Sequence, residues 1–310
     1  MTEAADATGA VRRTVPRARS GAPSGRPSAA AEMVRSMNPL VVLAAVVAVV
    51  LLAVAILAPW IAPYEPTQQT LLARLRPPVG LARADPRHLL GTDQLGRDIL
   101  ARCIYGLRLS LALAFFGTLV GLAIGVSLGL LAGILGGAVD TVLMAVVDVS
   151  LSLPFTLVAL FVVAVAGTDV GVLIVVLGIA YWAHSARLVR GQVLGLRDLP
   201  YVEAARSAGA SGWRLGVTHM LPNIVSPILV MATLNFSNLI LLESALSFLG
   251  LGVQPPTATL GSMVGQGRDY MISAAWIVAA PAVVIVLVAL VVMLLGDFMR
   301  DHFDVKLRER

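Results

Sequence analysis

Lysine occurs once in this 310-residue chain, at Lys306, and cysteine once, at Cys103. The single lysine does not sit in a Gly-x-x-x-x-Gly-Lys-Ser/Thr pattern, so the chain lacks a phosphate-cradling loop and is expected to be no enzyme of ATP hydrolysis. A lone cysteine excludes an internal disulfide, and no histidine and acid accompany Cys103 at a catalytic spacing. It reads as small apolar filler. His184 and His219 have no partners at metal-ligand spacing and read as interfacial polar residues, so no metal or catalytic site is expected. Charge is scarce as well: 13% of residues are charged against 58% hydrophobic, with a mean hydropathy of +0.87. Too few polar side chains remain to cover a water-soluble surface, which places the chain in a bilayer. Its Ala/Val/Leu/Ile runs lack polar alternation, which favours helices over a β-barrel and predicts an all-α polytopic membrane protein. The net charge of +5 does not point to nucleic acid, because the basic residues gather at the termini and in loops flanking apolar runs.

What is present orders itself along the chain. Residues 1–38 are rich in Ala, Arg, Ser, Pro and Gly without apolar periodicity and read as a disordered cytoplasmic tail. The apolar run that follows has no small-residue cleavage pattern and reads as a retained anchor rather than a signal peptide. Asn38-Pro39 opens a first transmembrane helix over 39–62, closed by Pro59, Trp60 and Pro63. Residues 63–106 carry many turn residues and are read as an external loop. A five-helix core is expected over 107–298, with spans at 109–139, 141–166, 170–186, 224–249 and 271–296, a cytoplasmic loop at 191–222, and a cytoplasmic tail at 299–310. This arrangement puts 15 Lys and Arg inside and 8 outside, which favours cytoplasmic termini. In the second span Gly117, Gly121, Gly125, Gly129, Gly133 and Gly137 recur at every fourth position, a ridge without side chains on which another helix can pack closely.

The most informative stretch is 201–223. Pro200 suits an early helical position, Glu203 complements the helix dipole in the first turn, and Ala204 and Ala205 favour helix. Gly209 permits a turn, Ser211 can cap a second helix bearing Trp213, Leu215 and Met220, and Pro222 is expected to stop that helix before the fifth span. Glu203, Ala204, Ala205, Gly209, Leu221 and Pro222 resemble the "EAA" loop of bacterial ABC-importer permeases, the cytoplasmic hairpin by which a membrane subunit grips its ATPase.

Two further motifs resemble the dipeptide, oligopeptide and nickel branch of that family. One runs from Gly91-Thr92-Asp93-Gln94-Leu95-Gly96-Arg97-Asp98 through Arg102 into the second span; Asp93 or Asp98 can cap a helix or pair with Arg97 and Arg102, an ordering role. The other is Glu243-Ser244-Ala245-Leu246-Ser247-Phe248-Leu249-Gly250, followed by Gln254-Pro255-Pro256. The chain departs from the family at Ala145, Leu260 and Val305, where arginine, tryptophan and proline are common. Asp148 and Glu243 fall inside apolar spans, where an unpaired charge costs about 2.5 kcal/mol or more, so each is expected to face the bundle interior or an aqueous cavity. Asp148 can instead pair with Arg187 or Arg190. Glu243, with Asn235 and Asn238, is the candidate lining of a translocation path.

The resemblance implies a type I ABC-importer permease fold, similar to the C-type membrane subunit of dipeptide uptake systems. It further implies a homologous second permease, two ATPase subunits that bind ATP and Mg, and an extracytoplasmic substrate-binding protein. No cofactor is expected in this chain itself. The same machine importing nickel chelates or glutathione stays open on these motifs. An ion-coupled secondary transporter using Asp148 and Glu243 would require internal repeats with broken helices, and a passive channel would require a selectivity filter; the sequence offers neither.

Overall fold

A computed structural model describes residues 38–308, with side chains through 302. The predicted tail over 1–38 lies, apart from Asn38, outside the described residues. Among the described residues the regular elements are helices, and one isolated antiparallel bridge pairs Thr92 with Asp98. The elements are α1 (Pro39–Ile56), α2 (Ala58–Ile61), α3 (Ile99–Leu135), α4 (Gly137–Ser152), α5 (Phe155–Ala166), α6 (Val170–Arg197), α7 (Pro200–Ser207), α8 (Gly212–Phe248), α9 (Leu260–Gly267) and α10 (Trp276–Arg308). Among the described residues five helices are long and apolar enough to cross a membrane, and α4 with α5 supplies a sixth crossing if the bent pair counts as one.

Helices α3 and α6 form the most extensive pair, and glycine sets their spacing. A Cβ built on Gly121 would stand 2.8 Å from the Gly178 carbonyl oxygen, one on Gly129 2.9 Å from Val189 Cβ, and one on Gly133 2.8 Å from Val193 Cβ. Gly117 meets Leu177 and Gly125 meets Trp182, Ser185 and Ala186 in the same way. Backbone therefore lies against backbone from Gly121 to Gly129, with side chains of α6 closing on Gly117 and Gly133 at either end, the close approach that a stripe of small residues permits in lipid.

Gly137 is not part of this ridge. Helix α3 ends at Leu135, and Gly136 and Gly137 take φ of 62° and 54°, a left-handed conformation that glycine adopts without strain. A Cβ on Gly137 would meet nothing within 4 Å.

The expected third span is likewise not one helix. Pro154 forces Leu153 into an extended conformation, with φ −85° and ψ 132°, and α4 and α5 diverge by 90° at that point. Other boundaries move as well: α6 runs on to Arg197 and α10 begins only at Trp276. The loop assigned to 63–106 ends at Asp98, where α3 begins, and the assigned tail from 299 continues α10 to Arg308.

The segment before α3 is folded rather than a bare connection. Asp93 lies fully buried, taking Arg97 Nε at 2.6 Å and Arg102 Nη1, while both guanidinium groups reach Gln266 Oε1 of α9 at 3.3 and 3.2 Å. Asp98 caps α3 by accepting from Ala101 N at 2.7 Å, and its other oxygen holds His88 Nδ1 at 2.8 Å. Trp276 Nε1 donates to Thr92 O at 3.2 Å and ties the segment to the start of α10. Both roles open to Asp93 and Asp98 are thus taken, one by each residue.

Candidate functional site

The 200–222 segment forms a hairpin whose tip is exposed and whose root is buried. Pro200 occupies the first turn of α7, where a missing N–H costs nothing. Glu203, Ala204, Gly209 and Pro222 face solvent, with Ala205 half-buried. Gly209 turns the chain at φ 84°, and Ser211 Oγ accepts from Arg214 N at 3.4 Å to cap α8. Val202, Leu215 and Met220 are buried against Leu130 of α3 and Val189 and Val193 of α6. Ile134, at the end of α3, fills the notch over Gly212 and Gly216: an added Cβ would collide with it at Gly216 and press tightly on it at Gly212. Trp213 and Tyr201 remain 66% and 42% exposed on the tip.

Pro222 does not end the second helix of the hairpin, contrary to expectation. Residues Leu215–Met220 form a π segment, and Leu221 N bonds to Gly216 O, five residues back. The wider turn takes up the register that a proline would otherwise break, so α8 continues through Leu221 and Pro222 to Phe248. A helix of 37 residues is about 55 Å long, enough to join the hairpin to the far side of the bundle.

Halfway along α8 lies a cavity of about 640 Å³ lined by Tyr181, His184, Leu188 and Gln192 of α6, by Pro227, Met231, Asn235 and Asn238 of α8, and by Arg300 of α10. Two of the candidate path residues therefore share one cavity. Asn235 is anchored there, its Nδ2 3.4 Å from Ser185 Oγ.

Glu243 does not line this cavity. It is 2% exposed and accepts from Ser247 Oγ at 2.7 Å and from Ser110 Oγ at 3.3 Å, while Ser110 Oγ also accepts from Leu260 N at 3.2 Å. Its carboxyl thus joins α3, α8 and α9 from inside. The physical reason is helical phase: Glu243 sits where small residues bring α9 against α3, with Gly106 close to Leu260 N and Gly261 close to Ser244.

Asp148 stands apart from the cavity as well. Its Oδ1 pairs with Arg187 Nη2 at 2.5 Å on an exposed face, while Arg190 engages Asp140 at 2.5 and 2.6 Å.

Tyr181, Leu188 and Gln192 went unremarked in the sequence, and His184, read there as an interfacial polar residue, lines the cavity with them. Their spacing of three, four and four residues places them on one face of α6, a signal present in the sequence but hidden among apolar neighbours.

A helical bundle with five or six apolar helices long enough to cross a membrane, and an exposed helical hairpin rooted on α3 and α6, fits a membrane permease of the importer class. The fold agrees with an inward-facing MetNI methionine ABC transporter at TM-score 0.53 and 21% identity, over 66% of this chain and 97% of that one. The family model described as binding-protein-dependent transport system inner membrane component matches residues 125–309, and that of the N-terminal TM domain of oligopeptide transport permease C matches 36–78. The chain is 41% identical over 254 residues to the di/tripeptide transport system permease protein DppC of Pseudomonas aeruginosa, covering 82% of this chain and 84% of that protein. It is 44% identical over 261 residues to the dipeptide transport system permease protein DppC of Escherichia coli, covering 84% and 87%. It belongs to the binding-protein-dependent transport system inner membrane component family and is a multi-pass permease of the inner membrane.

Proposed function

We propose that this chain is one of two homologous permease subunits of an ATP-driven importer that carries di- and tripeptides, paired with two cytoplasmic ATPases and supplied by an extracytoplasmic binding protein. The observation that carries the coupling is the hairpin, an exposed tip on a root packed into α3 and α6. Its small surface residues fit a groove on an ATPase subunit, and ATP with Mg belongs to that subunit. Both termini lie in the cytoplasm, and the folded segment before α3 faces outward toward the binding protein.

Mechanically, closing of the ATPases pushes on Tyr201, Glu203 and Trp213. The root transmits the push to the α3–α6 pair, whose glycine contacts leave no slack, and α8 carries it to the cavity. Asn235 and Asn238 offer both donors and acceptors, which suits a peptide backbone. Support for peptide as cargo comes from the names of the relatives, since the cavity lining, with Arg300 its one arginine, does not by itself select a peptide.

The test is reconstitution of the chain with its partner subunits in proteoliposomes and measurement of ATP-dependent uptake of a labelled dipeptide. Uptake that needs the binding protein, ATP and this chain supports the reading. Uptake of a nickel chelate or glutathione in its place reassigns the cargo, and transport by this chain alone overturns the importer mechanism.

A further inference from the structure

Seven arginines lie between residues 74 and 108, an unusual load for a segment read as external. Asp93 answers Arg97 and Arg102, and Asp85 answers Arg87 at 2.8 Å. The side-chain hydrogen bond from Arg87 holds the Asp85 carboxyl down to about 2, so this acid stays committed to its neighbour. Arg74, Arg76 and Arg83 have no carboxylate within ion-pair distance among the described residues. These three converge on one cavity of about 540 Å³ together with Trp276, Leu71, Leu72 and Leu81.

The apolar rim tells what the cations face. Leu72 is 91% exposed, Leu71 65% and Leu81 57%, which water alone would not favour beside three unanswered charges. Trp276 is the first residue of α10, a membrane-crossing helix, and so fixes the cavity at the depth of the headgroups. Arginines, an indole and protruding leucines at that depth match a phospholipid with its phosphate in the cavity and its chains against the leucines. Arg74 Nε already donates to Gln94 O at 2.6 Å, which orients the guanidinium and leaves its terminal nitrogens for the ligand.

We propose that this cavity binds the phosphate headgroup of an anionic phospholipid from the leaflet on its own face, held by Arg74, Arg76 and Arg83. The site rests only on the membrane-spanning fold and is independent of cargo and of ATPase coupling.

The experiment is native mass spectrometry of the full chain with whatever subunits copurify in mild detergent, titrated with phosphatidylglycerol or with phosphatidylcholine of the same acyl chains. Wild type is expected to retain phosphatidylglycerol preferentially, and Arg76→Gln with Arg83→Asn to weaken that retention by roughly ten- to thirtyfold without changing phosphatidylcholine. If the double variant does not fold, Arg83→Asn alone keeps the test open, because Asn suits the φ of 69° at that exposed position. The single variant is then expected to lose part of the preference.

Equal retention of the two lipids by wild type, or no change in the variants, overturns the site. Complete displacement of phosphatidylglycerol by inorganic phosphate overturns the lipid as its source. A variant that keeps the lipid but no longer associates with a soluble acidic protein shows the patch to be a protein-docking surface instead.

Discussion

Gly125→Ala tests the claim that α3 and α6 meet backbone to backbone. A methyl group at Gly125 would lie 2.6 Å from the Trp182 carbonyl oxygen and 3.0 Å from Ala186 N, and closer still to Ser185 Cβ. Ordinary contact begins near 3.4 Å, so the helices must part by most of an ångström. Overpacking against backbone atoms that cannot swing away falls in the upper part of its range, roughly 2–3 kcal/mol, offset by about 1 kcal/mol of helix propensity. The net loss is about 1–2 kcal/mol, which lowers the melting temperature by roughly 2–8 °C for a chain of this size.

The control is Gly195→Ala on the partner helix, where an added Cβ meets nothing within 4 Å. Only the propensity gain applies there, and the melting temperature should rise by roughly 1–4 °C. Cys103 provides the assay, since it is the sole thiol and is 5% exposed, so a thiol-reactive fluorophore reports unfolding of the purified chain. A Gly125→Ala protein that melts at or above the wild-type temperature refutes the close-packing argument.

Other expectations concern the network, the hairpin and the buried acid. Asp93→Asn leaves Arg97 and Arg102 buried without their counter-charge, a loss of about 3–5 kcal/mol that should abolish folded protein in the same thermal assay; unchanged melting would contradict it. Ile134→Ala empties the notch over Gly212 and Gly216 and should reduce uptake more than ATP hydrolysis in the reconstituted importer, whereas an equal fall in both would show no loosened linkage. Glu243→Gln keeps one acceptor oxygen, for Ser247, and turns an amide N–H toward Ser110 Oγ, which can accept it, so peptide uptake should stay largely intact. Loss of uptake in an assembled, stable Glu243→Gln complex would return that residue to the translocation path.

The hydropathy pattern made the bundle and its spans legible, because each crossing needs a long apolar run whatever its neighbours. It could not mark where helices end inside such runs. Gly136 and Gly137 break an apolar stretch whose hydropathy does not change across them, and Pro154 bends a span that by composition reads as straight. Proline misled in the opposite direction at Pro222, where a π turn absorbs the missing donor. At the site, Asn235 and Asn238 stood out as polar residues in an apolar helix and do share a cavity. Glu243 stood out for the same reason, but only the close approach of α9 to α3 reveals that its carboxyl is sealed between helices. Helix α9 itself was missed, being short and set between turn-rich segments.

The measurement that bears most directly on the importer reading is copurification of tagged wild-type and Glu203→Lys chains from native membranes in mild detergent, with mass spectrometry of the bound proteins. Glu203 is exposed on the hairpin, so its reversal should leave the chain folded and its second permease bound while the ATPase subunits are lost, since a reversed charge across an interface costs several kcal/mol. ATPase subunits recovered equally with both chains would contradict the coupling role of the hairpin, and recovery of no ATPase with wild type would contradict the importer reading itself.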